Sequence, residues 1–129
     1  MIKILFICHG NICRSPMAEF IMKDLVKKAG LEQEFMIDSR ATSTEETGNP
    51  IHRGTMGIFK KYQIPCTGHR AQQMSRQDYE TYDYLIGMDQ SNIRNMTRIA
   101  GGDPEKKIYK LMEFTGSGRD VADPSYTGD

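Results

Sequence analysis

The sequence predicts an α/β fold built on a parallel sheet, from three observations. Short apolar runs of strand length alternate with stretches in which apolar residues recur every three or four positions. Each helical stretch opens on a residue that caps helices well, and two of those caps are followed directly by proline. No internal repeat, low-complexity tract or linker divides the 129 residues, so a single domain is expected.

The elements follow in order. Lys3 to Ile7 reads as a buried strand, short and apolar. Ser15 is the expected N-cap of the first helix. Pro16 takes the first helical position, where its missing N–H costs nothing. Met17, Ile21, Leu25 and Ala29 form the apolar row, and Gly30 stops the helix. Phe35 to Asp38 is a second strand. Asn49-Pro50 repeats the cap-plus-proline signal before a helix with Ile51, Thr55, Ile58, Phe59 and Tyr62 on one face, ended by Pro65. Ser75-Arg76-Gln77-Asp78 resembles a capping box and opens a short helix. Tyr84 to Gly87 reads as a central strand, and Asp89 caps a helix running to about Ile99. Lys107 to Tyr109 is a last short strand, and Gly116 to Asp129 is loop.

Lys plus Arg and Asp plus Glu both number 17, so the formal net charge is zero. That balance argues against a broad nucleic-acid footprint and against a polybasic membrane anchor, but not against a local positive pocket. No apolar stretch has transmembrane length, and Ile4 to Ile7 is too short for a signal-peptide core. A cytoplasmic location is expected. Cys8, Cys13 and Cys66 are too few for a disulfide framework. With no CxxC pair, and with His9, His52 and His69 not spaced as a ligand set, no zinc or other metal site is expected.

The chemistry concentrates in Cys8-His9-Gly10-Asn11-Ile12-Cys13-Arg14-Ser15, at the junction of the first strand and first helix. In open parallel sheets ligands sit at the carboxyl ends of the strands. A phosphate monoester dianion is best held by backbone N–H groups at a helix start. An arginine adds a planar fork that grips two oxygens, where a lysine offers a point charge. The same positive field favours thiolate over thiol at Cys8, so activation of the nucleophile and binding of the anion come from one loop. Gly10 permits close backbone approach, and Asn11 is a residue type that tolerates the left-handed conformation. Ser15 can donate to the sulfur. A buried cysteine in an ordinary strand-to-helix turn is the competing reading of Cys8. A leaving phenol or alcohol needs a proton, and Asp123, stiffened by Pro124, is the best-placed acid among many surface carboxylates.

The string Phe6-Ile7-Cys8-His9-Gly10-Asn11-Ile12-Cys13-Arg14-Ser15-Pro16-Met17-Ala18-Glu19 resembles the signature of the low molecular weight protein tyrosine phosphatases. Matching blocks recur in the family's order: Ile37-Asp38-Ser39, Gly68-His69-Arg70-Ala71, Asp83-Tyr84-Leu85-Ile86 with Met88-Asp89, and Asp123-Pro124. The resemblance implies a four-stranded parallel sheet flanked by helices, with the active-site loop after the first strand. It implies hydrolysis of phosphotyrosine in proteins through a cysteinyl-phosphate, without a cofactor. Cys8 would be the nucleophile, Arg14 the phosphate clamp and Asp123 the general acid. His9, Gly10, Asn11, Ile12, Cys13, Arg14 and Ser15 would surround the phosphate, with Asn11, Ser15, Ser39 and His69 holding the loop. Cys13 matches a family position that can form a disulfide with the nucleophile and protect it from irreversible oxidation. An inert half-buried thiol is the alternative. Cys66 is expected to be structural.

Departures from the pattern fall on the expected rim. Ser125 and Tyr126 follow Asp123-Pro124 where an aromatic pair is usual, and Glu45 stands where some members carry tryptophan. His9 replaces a usually aliphatic residue. An aromatic wall stacks a phenyl ring, so these changes bear on the substrate rather than on the phosphate chemistry. Glu45, Glu46 and Glu32 also read as solvated surface. The family usually continues beyond Thr127-Gly128-Asp129 into a C-terminal helix that this sequence does not contain. Four alternatives share parts of the loop. Protein-arginine phosphatases tend to carry threonine where Ile12 stands. Arsenate reductases relay through further cysteines, and Cys66 is not in a pair. Sugar-transport phosphocarriers need neither Arg14 nor Asp123. A phosphopeptide-binding module would show no turnover.

Overall fold

Strand β1 (Ile2–Cys8) is flanked by β2 (Phe35–Ala41) and β3 (Tyr84–Gly87), and β4 (Ile108–Lys110) completes a four-stranded sheet of order β2-β1-β3-β4. Every pairing is parallel, with Cys8 opposite Ala41 and Ile7 opposite Gly87. The helices are α1 (Arg14–Lys28), α2 (Arg53–Lys61), α3 (Arg76–Thr81) and α4 (Gln90–Ala100). Short 3₁₀ turns occupy Glu32–Glu34 and Leu111–Thr115. The computed structural model describes residues 1–66, 68–116 and 118–121. Asp123, Pro124, Ser125, Tyr126 and the end of the expected terminal loop lie outside them.

The sheet is buried on both faces, as a continuous apolar run in β1 requires. Leu5 and Ile7 point to one side and pack with Met74, Tyr79, Tyr82, Leu85, Met96 and Ala100, beneath α3 and α4. Ile4, Phe6 and Cys8 point to the other and pack with Ile37, Ile86 and Met88, beneath α1. Leu5, Ile7 and Leu85 are fully buried, each contributing about 1.5–3 kcal/mol relative to an exposed side chain. A third cluster of Phe20, Ile51 and Phe59 fastens α2 to α1.

Helix α1 differs from its expected face. Leu25 is 60% exposed, and Ala18, Met22 and Val26 are the residues laid against the sheet cluster. Met17 and Ile21 turn instead to the α2 cluster. Buried polar Ser15 and Glu19 interrupt the sheet-facing row, which is why hydrophobicity pointed to the neighbouring one. The helix also begins at Arg14, with Cys13 at the cap position. Ser15 is not the cap because its hydroxyl is engaged by Cys8 and Asn11. In α2 the cap is His52, whose Nδ1 accepts from the Gly54 N–H at 3.1 Å, not Asn49, whose amide reaches Glu46. Ile58 and Tyr62 are exposed there, while Ile51, Thr55 and Phe59 are buried as expected.

The second half follows its signals closely. The Asp78 carboxylate accepts from the Ser75 N–H at 2.9 Å, and Asp89 Oδ1 accepts from the Asn92 N–H at 2.7 Å. Gly87 ends β3 directly under α4. A Cβ there would lie 2.8 Å from Met96 Sδ, 3.0 Å from Ile93 Cδ1 and 3.1 Å from Asn92 Cβ. Gly87→Ala should therefore destabilise the fold by about 1–3 kcal/mol through overpacking, measured by denaturant unfolding. An unchanged midpoint would mean that α4 moves away at no cost.

Candidate active site

The order β2-β1-β3-β4 places a topological switch point between the carboxyl ends of β1 and β3, where ligands of open α/β sheets bind. The loop after β1 carries Cys8 to Ser15 and the turn after β3 carries Met88 and Asp89. The two meet through an ion pair. Arg14 Nη1 donates to Asp89 Oδ2 at 2.8 Å, with the side chains 5% and 19% exposed. Nη1 also donates to the Val121 carbonyl at 2.8 Å, and the Val121 N–H donates to the Met88 carbonyl at 2.8 Å. Asp89 thus has two tasks, one carboxylate oxygen capping α4 and the other setting the plane of the guanidinium.

Cys8 is 3% exposed, at the last position of β1. Three groups converge on its sulfur: the Asn11 N–H donates at 3.3 Å, the Ser15 N–H donates at 3.4 Å, and the Ser15 hydroxyl lies 3.0 Å away. Ser15 Oγ also accepts from Asn11 Nδ2 at 2.9 Å and has the Arg40 carbonyl as a second acceptor at 3.4 Å; against a thiolate, which can only accept, its proton turns to the sulfur. Among the described residues, no acceptor meets the N–H groups of His9, Gly10 or Ile12. The loop therefore offers donors to both a sulfur anion and a bound oxyanion.

Asn11 holds this shape. Its φ of +58° turns the chain through the left-handed region, and its side chain is fully buried. Its amide is saturated: Nδ2 donates to Ser15 Oγ and to Ser39 Oγ, both at 2.9 Å, and Oδ1 accepts from the Gln72 N–H at 3.1 Å. The Asn11 carbonyl accepts from His69 Nε2 at 2.8 Å, which fixes the proton on that ring nitrogen. The Ser39 hydroxyl donates to buried Glu19, whose other oxygen accepts from Lys23. His69 Nδ1 lies 4.0 Å from the same Glu19. Removing one member would strand buried polar partners.

All four residues expected to hold the loop, Asn11, Ser15, Ser39 and His69, meet in this cluster. Glu19 and Asp89 were not singled out for it. The i, i+4 series Ser15, Glu19, Lys23 on one helix carried the signal for Glu19, whereas Asp89 was accounted for by its cap. A cavity of about 250 Å³ lined by Glu19, Ser39, Arg40, His69 and Arg70, among others, opens behind the cluster. Cys8 does not line it, so it is not where the sulfur would react.

On the other side, residues 42–46 clasp the loop. The Thr42 N–H donates to the Cys8 carbonyl at 2.9 Å, and Ser43 donates to the His9 carbonyl through its N–H at 3.1 Å and its hydroxyl at 2.9 Å. A Cβ on Gly10 would lie 3.3 Å from Glu46 Cγ, so glycine is what lets this segment close in. His9 Nε2 lies 3.1 Å from Glu45 Oε2. Thr55 Oγ1 donates to Cys13 Sγ at 3.2 Å. Cys66 stands apart beside Met56, and burial pushes its thiol pKa up, which disfavours a reactive thiolate.

A thiol that gathers N–H donors beside a fixed arginine, at the switch point of a parallel sheet, defines the cysteine-based phosphatase class. The chain belongs within it to the low molecular weight phosphotyrosine protein phosphatase family, whose model matches residues 3–129. It is 43% identical over 131 residues to the low molecular weight protein-tyrosine-phosphatase YfkJ of Bacillus subtilis, covering 100% of this chain and 84% of that protein. The crystal structure of YfkJ superposes with a TM-score of 0.95 at 44% identity, covering 100% of this chain and 82% of that one. The low molecular weight protein tyrosine phosphatase of Streptococcus pyogenes gives 0.86 at 46% identity, with 100% and 81% covered. The drosophila arginine phosphatase gives 0.89 at 30% identity, with 99% and 83% covered.

Proposed function

We propose that this chain hydrolyses phosphotyrosine in proteins, and simple aryl phosphates, through a phosphorylated Cys8. The convergence of two N–H donors and the Ser15 hydroxyl on the Cys8 sulfur carries this reading, with Arg14 locked beside it by Asp89 and Val121. The phosphoryl dianion lies on the N–H groups of residues 9–15 and on the Arg14 guanidinium. Cys8 Sγ attacks phosphorus, the S–P bond forms, and the P–O bond to the tyrosyl oxygen breaks. Asp123 gives its proton to that oxygen. In the second step Asp123, now a carboxylate, takes a proton from water as the water oxygen attacks phosphorus. Inorganic phosphate leaves, and the Ser15 hydroxyl and two N–H groups receive the returning thiolate. Cys13, five residues on, is the thiol that would trap an oxidised Cys8 as a disulfide.

Asp123 stands two residues beyond Val121, and the segment leading to it is pinned. Asp120 Oδ1 accepts from Lys110 Nζ at 2.9 Å and from the Gln90 N–H at 3.1 Å. The Lys110 hydrogen bond holds the Asp120 carboxyl below its ordinary pKa. A lowered carboxyl contributes in full above the unfolded value and is lost as pH falls through the folded one, so this tether is intact at neutral pH. Lys110→Ala should lower kcat on phenyl phosphate about three- to tenfold, a part of the general-acid contribution, while competitive inhibition by inorganic phosphate changes little. Equal loss of phosphate affinity would show a general disturbance of the loop instead.

The decisive experiment compares phosphate release from phosphotyrosyl and phosphoarginyl peptides. Faster turnover of phosphotyrosine supports the proposal, in keeping with Ile12 and with the names of the relatives at 40–43% identity. Faster turnover of phosphoarginine would move the chain to the specificity named for its drosophila structural neighbour. A cytoplasmic location fits a nucleophile that must stay reduced. No helix among the described residues is long and apolar enough to cross a membrane.

A further inference from the structure

His9 and Glu45 form a hydrogen-bonded pair across the mouth of the loop, immediately after the nucleophilic position. His9 Nε2 lies 3.1 Å from Glu45 Oε2, with side chains 43% and 70% exposed. The neighbouring Glu46 is committed elsewhere: Asn49 Nδ2 donates to its Oε2 at 2.6 Å and its stem covers Gly10. His52 is committed too, since its N–H donates to the Ile12 carbonyl and its Nδ1 caps α2. Glu45 is therefore the carboxylate on this wall that can swing. Its backbone is positioned, because the Glu45 N–H donates to Ser43 Oγ at 3.4 Å and Ser43 is bonded twice to His9.

A lone carboxylate beside a site for a dianion would repel the substrate. Here its Oε2 is engaged by the His9 ring instead. An exposed pair of this kind is nearly neutral in free energy, so exchanging the His9 ring for a cation costs little. A lysine or arginine next to the phosphotyrosine can take that place, whereas an aspartate or glutamate there meets like charge. We infer that Glu45, held in waiting by His9, selects phosphotyrosyl segments with a basic side chain beside the phosphotyrosine and disfavours acidic ones. The inference rests on the phosphatase reading above and deepens it to a substrate class.

The test uses two phosphotyrosyl peptides identical except for lysine or glutamate on both sides of the phosphotyrosine, with 4-nitrophenyl phosphate as a substrate lacking flanks. The quantity read is the basic-to-acidic ratio of kcat/KM within each protein, so any change in a variant's basal rate cancels. The wild-type ratio should be about five to ten at low ionic strength and shrink towards one at high salt. Glu45→Gln should lower it, and Glu45→Lys should carry it below one. A wild type that hydrolyses 4-nitrophenyl phosphate but treats both peptides alike overturns the inference alone. So does a ratio that Glu45→Lys leaves unchanged. A wild type that hydrolyses none of the three substrates overturns the phosphatase reading instead.

Discussion

Cys8→Ser abolishes turnover of aryl phosphates, with kcat falling on the order of 10⁴–10⁶-fold, as for loss of other enzyme nucleophiles. The reason is chemical rather than structural. Serine keeps the size and the hydrogen-bonding partners of the position, so the loop bonds from Asn11 and Ser15 have an acceptor still. A hydroxyl, however, is a weak nucleophile at its ordinary pKa, and no side chain among the described residues that touch Cys8 is a base that could activate it. Binding should survive. The variant should hold vanadate or a phosphotyrosyl peptide through Arg14 and the loop amides, measured by titration calorimetry. Residual turnover within tenfold of wild type would remove Cys8 from the reaction, and loss of both binding and turnover would show that the loop had collapsed.

Asp123→Ala separates substrates by their leaving groups. The proton supplied to the departing oxygen matters most when that oxygen is basic. Tyrosine and phenol leave as anions of conjugate acids with pKa near ~10, so they need the acid in the transition state. 4-Nitrophenol is far more acidic and leaves largely unaided. Expected losses in the rate of enzyme phosphorylation are about 10²–10³-fold for phenyl phosphate and much less for 4-nitrophenyl phosphate, within the usual general-acid range. The acidic limb of the pH profile for enzyme dephosphorylation should also vanish, because the same carboxylate is the base of the second step. Equal losses on both substrates would assign Asp123 to structure, and the acid would then have to be sought elsewhere.

The main elements were readable from local chemistry. β3 runs over the four residues expected of it, and Asp89 and Ser75 sit where their capping patterns placed them. β1 and β2 were recognised but run longer than expected, to Cys8 and Ala41, because pairing along the whole of β1 extends β2 past its apolar residues. The helix starts at Ser15 and Asn49 misled for one shared reason. Each side chain suited a cap, and each was taken by a nearer tertiary partner: Ser15 by Cys8 and Asn11, Asn49 by Glu46. Leu25 and Tyr62 misled because periodicity finds an apolar row without saying which of two adjacent rows meets the core.

By itself, the sequence determined the loop: a cysteine and an arginine at fixed spacing, a glycine for close approach, an asparagine able to turn left-handed, and a strand and helix to either side. Those are properties of a few contiguous residues, and contiguity makes them legible. Only the tertiary structure decided through which bonds the loop is held in shape. Glu19 reaches it through Ser39, His69 through the Asn11 carbonyl, and Asp89 across the switch point to Arg14. It also decided that Glu45 faces His9 and Glu46 does not. The contacts of Glu19, His69, Asp89 and Glu45 each join residues 20 or more positions apart, brought together by the packing of loops and helices around the sheet. A buried hydrogen bond depends on where its two partners end up, and no local pattern records that.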